Sequence, residues 1–94
     1  MRFRWLARAL ANLNSEAEYI AGDNRPTAVR TVQTIRKSVE LLRRYPALGR
    51  PGRVAGTREL VVSGTPYIVP YRVRDTEIQI LRVFHGARRW PSKF

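Results

Sequence analysis

The sequence predicts an α+β domain in the order strand, helix, helix, strand, strand, strand. Three observations carry this. Apolar residues recur at intervals of three or four through the first half, with one break at Gly22-Asp23-Asn24. Apolar residues also alternate with period two from Tyr67 to Val73, and turn residues such as Ser63-Gly64 punctuate the second half. A chain of 94 residues holds a single domain, read as 1–94, which excludes a large multidomain enzyme.

Arg2 to Trp5 alternate basic and aromatic residues, as a short strand with one buried face does. Leu6, Leu10, Leu13, Ala17 and Ile20 then form one stripe of a helix that runs to about Gly22. Gly22-Asp23-Asn24 supplies a breaker and a cap, and Pro26 suits the first turn of a second helix, where its missing N–H is not needed. The second stripe is Ala28, Val32, Ile35, Val39 and Leu42, so the two helices read as an antiparallel hairpin. Tyr45-Pro46 ends it, and Ala47 to Thr57, with Gly49, Pro51, Gly52 and Gly56, reads as an irregular surface loop.

Three strands follow as a meander: Arg58 to Val62, Tyr67 to Arg74, and Glu77 to His85. Tyr67, Val69, Tyr71 and Val73 share one face. In the last strand Ile78 and Ile80 face one way and Leu81 and Val83 the other, which predicts a central strand covered on both sides. Pro70 conflicts with an interior position in its strand, because it has no N–H for the ladder and normally marks an edge or a bulge.

Eighteen basic residues, sixteen of them Arg, face 7 acidic ones, for a net charge of +11. Guanidinium forks suit phosphate and carboxylate recognition. The absence of cysteine excludes disulfides and thiolate metal sites. The basic N-terminus lacks the apolar run of a signal peptide, and nothing approaches the ~18 apolar residues of a membrane span, so a soluble cytoplasmic protein is expected. No metal or cofactor motif is present, and none is expected.

His85, the single histidine, has as its ordinary reading local packing and hydrogen bonding at a strand end. Its alternative role is acid–base work on RNA beside arginines that stabilise a phosphorane-like transition state. Basic residues cluster, with no acid among them, at Arg43, Arg44, Arg50, Arg53 and Arg58 and again at Arg82, Arg88, Arg89 and Lys93. Both clusters can meet a polyanion, and an acidic partner that covers them is expected.

Four segments carry a resemblance: Tyr45-Pro46-Ala47-Leu48-Gly49-Arg50-Pro51-Gly52-Arg53, Gly56-Thr57-Arg58-Glu59-Leu60, Tyr67-Ile68-Val69-Pro70-Tyr71-Arg72-Val73, and Ile80 to Pro91 with its His85-Gly86-Ala87-Arg88-Arg89-Trp90 core. Over nearly the whole chain the sequence resembles the RelE/ParE superfamily of toxins from bacterial type II toxin–antitoxin modules. The resemblance implies a helical hairpin packed on a small, twisted, mainly antiparallel sheet. It also implies a cognate antitoxin, ParD-like or other, whose C-terminal segment wraps the toxin in a hetero-oligomeric complex.

Members divide into ribosome-dependent mRNA endonucleases and DNA gyrase poisons. For the nuclease branch the resemblance places Arg53 and Arg58 in a region that carries lysines, and Arg88 at an arginine after the last strand. The middle-strand arginine position falls on Ile68, and the tail ends at Phe94 without the nuclease tyrosine. Arginine stays protonated and is a poor general base, so catalysis would have to recruit His85 or Tyr71. The segment from His85 to Arg89 and the Leu48–Gly52 loop look more like the ParE branch. The expectation is therefore a gyrase-binding toxin with Arg82, His85, Arg88, Arg89 and Trp90 toward the target and Arg50, Arg53, Arg58 and Tyr71 toward the antitoxin. The alternative is an mRNA endonuclease using Arg53, Arg58, His85 and Arg88 on ribosomes, and a third reading is a degenerate member that only binds its antitoxin.

Overall fold

Strand β1 spans Arg2–Trp5, α1 spans Ala7–Asp23 and α2 spans Arg25–Glu40, extended by a 3-10 turn at Leu41–Arg43, in a computed structural model that describes residues 1–94. One residue separates the helices. Asn24 is extended (φ −158°, ψ 100°), its N–H donates to the Ile20 carbonyl, and its side chain accepts from the Thr27 N–H at 3.1 Å. Asn24, and not Gly22, is thus the break, capping one helix while closing the other. Pro26 lies in the first turn of α2, as its sequence position predicts.

The α2 stripe packs as expected, with Ala28, Ile35, Val39 and Leu42 buried. The α1 stripe is rotated. Ala9 and Leu13 face the core while Leu10 is 38% exposed. Small Ala9 occupies the contact seam, and Leu10, about 100° further round the helix, is turned outward.

The sheet continues through β2 (Arg50–Pro51), β3 (Arg58–Val61), β4 (Tyr67–Arg74), β5 (Glu77–Ile80) and β6 (Phe84–His85). Its order is β1-β5-β4-β3-β2, with β6 also on β4. Only β1 is parallel to its neighbour; it lies beside β5, pairing Phe3 with Ile78. Leu60, Val62, Tyr67, Val69, Tyr71, Ile78, Ile80 and Val83 meet both helices in one core, with Phe3 and Trp5 packed against it. Val73, assigned to that face by alternation, is 41% exposed. No helix is long and apolar enough to cross a membrane.

The last strand departs from its expected form. It is two strands, β5 and β6, interrupted at Leu81 to Val83, and both pair with β4. The cause is Pro70. Its carbonyl accepts from the N–H of both Leu81 (3.0 Å) and Arg82 (3.4 Å), the signature of a β-bulge. In a strand the N and O of one residue point to the same side, so the missing proline donor faces the bulge, where the ladder asks for none. Pro70 is therefore fully buried inside the sheet, not at an edge. The bulge also shifts the alternation by one residue. Val83 returns to the core with Ile78 and Ile80, contrary to the simple period-two reading, and its N–H donates to the Asn12 side chain at 3.2 Å.

The proline-rich loop after α2 is less irregular than its composition suggests, because β2 pairs Arg50 with Glu59. Two buried groups hold it. Tyr71, 0% exposed, donates its hydroxyl to the Pro46 carbonyl (2.7 Å) and accepts from the Gly49 N–H (2.8 Å). A Cβ on Gly49 would lie 2.6 Å from the tyrosine ring, which is why the loop needs glycine there. Glu59, 2% exposed, accepts from the Arg50 side chain and from both the backbone N–H and the side chain of Arg53.

Tyr71→Phe leaves the Gly49 N–H without an acceptor, and urea unfolding is expected to show a loss of about 1–3 kcal/mol. Burial alone would raise the Glu59 pKa, but hydrogen bonds from Arg53 and Arg50 and the charge of Arg53 together hold it below the ordinary 4.5. A lowered folded-state pKa contributes stability that is fully present above the ordinary value and lost as pH falls through the folded one. The stability advantage of the native chain over Glu59→Gln is therefore expected to be constant near neutrality and to shrink as pH drops below 4.5, read by unfolding midpoints across pH.

Candidate functional site

The C-terminal segment leaves the sheet through His85, which pairs with Tyr67 across β4 and β6. A tight turn follows. Gly86 N–H donates to the Pro66 carbonyl (2.7 Å), and a Cβ on Gly86 would press on Ile68 at 3.1 Å. The His85 Nδ1 accepts from the Ala87 N–H (3.2 Å), its carbonyl accepts from the Arg88 N–H and the Trp90 indole, and its ring stands edge-on to Tyr67. This is local packing at a strand end.

Arg88 reaches back to α1, where its guanidinium donates to Glu16 at 2.7 Å. The other Glu16 oxygen accepts from the Tyr67 hydroxyl at 3.0 Å. Burial first, then the hydrogen bond and charge of Glu16, push the Tyr67 hydroxyl up to about 12, so it stays a proton donor to Glu16 at physiological pH. Tyr19, Thr27, Thr31 and Pro66 join Tyr67, His85 and Arg88 around an open cleft of about 490 Å³. Arg89, beyond the turn, is exposed and makes no ion pair or side-chain hydrogen bond.

Trp90 and Phe94 fold over the sheet face opposite the helices, with ring centroids 4.9 and 5.8 Å from Phe84. Arg53 lies over the Trp90 ring at 3.6 Å, so the proline-rich loop and the tail meet through one cation–π contact. Arg58 turns elsewhere, donating to the carbonyl of Gly49 at 2.8 Å.

The expected residues therefore divide. Arg88, Arg89, His85 and Trp90 share the tail, and Arg50 and Arg53 remain half-exposed while paired with Glu59. Tyr71 is sealed in the core with its hydroxyl occupied, so it offers no side chain to an antitoxin and no base to a reaction. Arg82, 8% exposed, does not share the surface of Arg88 and Arg89 but sits in a pocket with Phe94. No hydrogen bond joins the side chains of Arg53, Arg58, His85 and Arg88, and each has its own structural partner, although Trp90 lies between Arg53 and the His85 carbonyl.

Two acids that organise the candidate site were missed in the sequence. Neither basic cluster is free of acid in space, because Glu59 takes Arg50 and Arg53 and Glu16 takes Arg88. Glu59 had a signal: it is the single acid between Leu41 and Arg74. Glu16 had none, since its partner lies 72 residues away.

Comparison with known proteins agrees with this architecture. Y4kP of Sinorhizobium fredii is 46% identical over 91 residues, covering 97% of this chain and 94% of that protein. Toxin RelE2 of Caulobacter vibrioides is 37% identical over 84 residues, covering 89% and 93%. A solved structure described as the chromosomal ParDE TA system from P. aeruginosa superposes with a TM-score of 0.82 at 33% identity, covering 90% of this chain and 95% of that one. The family described as the ParE toxin of the type II toxin–antitoxin system parDE matches residues 3–90, and with the β-α-α-β-β-β order and the helical hairpin on a mixed sheet, this chain belongs to that toxin family.

Proposed function

We propose that this chain inhibits DNA gyrase, and through it replication, by binding, and that a cognate ParD-like antitoxin neutralises it inside the cell. The observation that carries the binding reading is that the candidate proton-transfer and charge-stabilising groups are each engaged by a structural partner and none is hydrogen-bonded to another. His85 Nδ1 accepts from the Ala87 N–H, Tyr71 is buried with its hydroxyl engaged, and Arg88, Arg53 and Arg58 are tied to Glu16, Glu59 and Gly49. General acid–base catalysis needs a group within hydrogen-bond reach of the reacting proton, and arginine cannot serve as base at neutral pH. What the tail offers is basic and aromatic groups for binding: Arg88 and His85 on the side of α1, Trp90 on the opposite face of the sheet, and the exposed Arg89 between them in sequence.

The likeness to a ParDE structure supports an antitoxin as partner. A fitting place for it is the edge of the sheet. β2 pairs only Arg58 and Glu59, so Leu60 and Val61 present an edge without a neighbouring strand. Beside them Leu41, Leu48, Val61 and Arg50 line a cleft of about 330 Å³, with Leu41, Leu48 and Val61 each half-exposed. An extended acidic segment would add backbone hydrogen bonds there, seat apolar side chains in the cleft and meet Arg50, Arg53 and Arg58 with its carboxylates.

Purified toxin is expected to block gyrase supercoiling and to leave messages uncut in a translating extract. Ribosome-dependent cleavage that disappears on changing His85 would favour the endonuclease reading instead, and no growth arrest on expression alone would favour a member that only binds its antitoxin. Arg88→Ala with Arg89→Ala is expected to raise the half-inhibitory concentration for gyrase by about tenfold or more, equivalent to ~1.4 kcal/mol, with the fold checked by circular dichroism. Val61→Arg is expected to weaken antitoxin binding by about tenfold, measured calorimetrically, while gyrase inhibition is kept.

A further inference from the structure

The β-bulge does more than accommodate Pro70. It places Leu81 and Arg82 together in the wall of a pocket of about 250 Å³, which Arg72, Arg74, Thr57 and Phe94 also line. No side-chain carboxylate faces it. On this face of the sheet Glu77 is engaged by Arg4 and by Gln79, Glu59 is engaged by Arg50 and Arg53, and Gln79 accepts from Arg72 at 2.7 Å, which fixes that arginine at the rim. Arg74 makes no hydrogen bond or ion pair from its side chain.

Arg82 is the unusual member. It is 8% exposed, it has no carboxylate partner, and its one side-chain hydrogen bond runs from Nη1 to the carbonyl of its neighbour Leu81 at 2.7 Å. Every side-chain nitrogen sealed from solvent has a partner, so the unpaired Nε and Nη2 of Arg82 still reach solvent. Burial, and then the charge of Arg8, lower its pKa, the direction expected of a cation that lacks its anion. A methionine would fill the same space without the desolvation penalty of a charge, so packing alone does not account for arginine here.

We propose that this pocket is an oxyanion site that takes a phosphate group, with Arg82 at its floor, Arg72 and Arg74 at its rim, and the Phe94 ring as a displaceable wall. Phe94 lies 5.7 Å from the Arg82 guanidinium, a contact that a phosphate would exchange for charge-assisted hydrogen bonds. Three guanidinium groups around one space supply more charge and more donors than a single carboxylate accepts, whereas a phosphate presents several oxygens to them. The inference does not depend on gyrase as target, since it concerns the opposite face of β4 from the core and a residue outside the surface of Arg88 and Arg89.

The test is titration of the purified chain at constant ionic strength with inorganic phosphate, with a nucleoside 5′-monophosphate, and with acetate, followed by calorimetry and by melting temperature. Saturable phosphate binding is expected, weakened at least fivefold in both Arg82→Gln and Arg74→Gln, with acetate giving no saturable signal. Tighter binding of the nucleotide than of phosphate would identify a nucleotide or nucleic-acid source, and equal binding a free phosphate. Arg74 is exposed, so its variant retains the fold even if Arg82→Gln does not. Phosphate affinity unchanged in Arg74→Gln, or an acetate response equal to that of phosphate, would overturn the proposal.

Discussion

Pro70 has no N–H to give to the ladder, and it stands in a strand with neighbours on both sides. The sheet resolves this by doubling the donors to its carbonyl on the side where its own donor is missing. From that bulge follow the division of the last strand into β5 and β6, the return of Val83 to the core and the use of Asn12 to satisfy the Val83 N–H. It also sets the direction in which the chain leaves the sheet. The turn at Gly86, the reach of Arg88 to α1 and the folding of Trp90 over Phe84 all begin from the register that the bulge imposes.

Charge shapes the rest. Five of the 16 arginines form ion pairs, and they do so on only four acids. Two of those acids are placed where a segment without regular structure must be held. Glu59 fastens the proline-rich loop from inside the sheet, and Glu16 fastens the tail from α1. Exposed ion pairs contribute little, but Glu59 is nearly sealed, and removing one partner of a buried pair is costly because the other is left uncompensated. The basic excess is thus partly scaffolding: the same arginines that present charge outward also organise the loop and tail.

The sequence was most legible where local rules and tertiary packing agree. The α2 stripe, the Asn24 and Pro26 cap and the β4 alternation from Tyr67 to Tyr71 are local patterns, and they appear in place. The rotation of α1 was not legible, because Leu10 and Ala9 differ in which the sheet can approach more closely, and that is decided by the partner surface. Pro70 did announce a bulge or an edge. Choosing between them required knowing that the Pro70 side of β4 that lacks a donor faces β5, where Leu81 and Arg82 both turn their N–H groups to one carbonyl. In the site, His85 was legible as a local strand-end residue, whereas Tyr71 and Arg82 were misplaced. A tyrosine or arginine in a strand looks the same in sequence whether its polar end reaches solvent, a loop carbonyl or an internal pocket.

The distribution of arginine bears on how such a small chain can act on a much larger target. A catalytic site requires mobile protons and groups converging on one atom, and here the basic groups are overwhelmingly arginines, which do not release their protons at neutral pH. A binding surface requires instead that charge and aromatic area be held in fixed positions before the encounter, so that little side-chain freedom is lost on association. The Glu16–Arg88 pair and the Arg53–Trp90 contact do that for the tail. The two clamps lie at opposite faces of the sheet and share no residue. A partner covering the loop edge would therefore neutralise the Arg50 and Arg53 side without touching the Glu16 side. On the proposed reading, neutralisation then works by displacing or screening Arg53 and Trp90, and it leaves the fold that presents Arg88 intact.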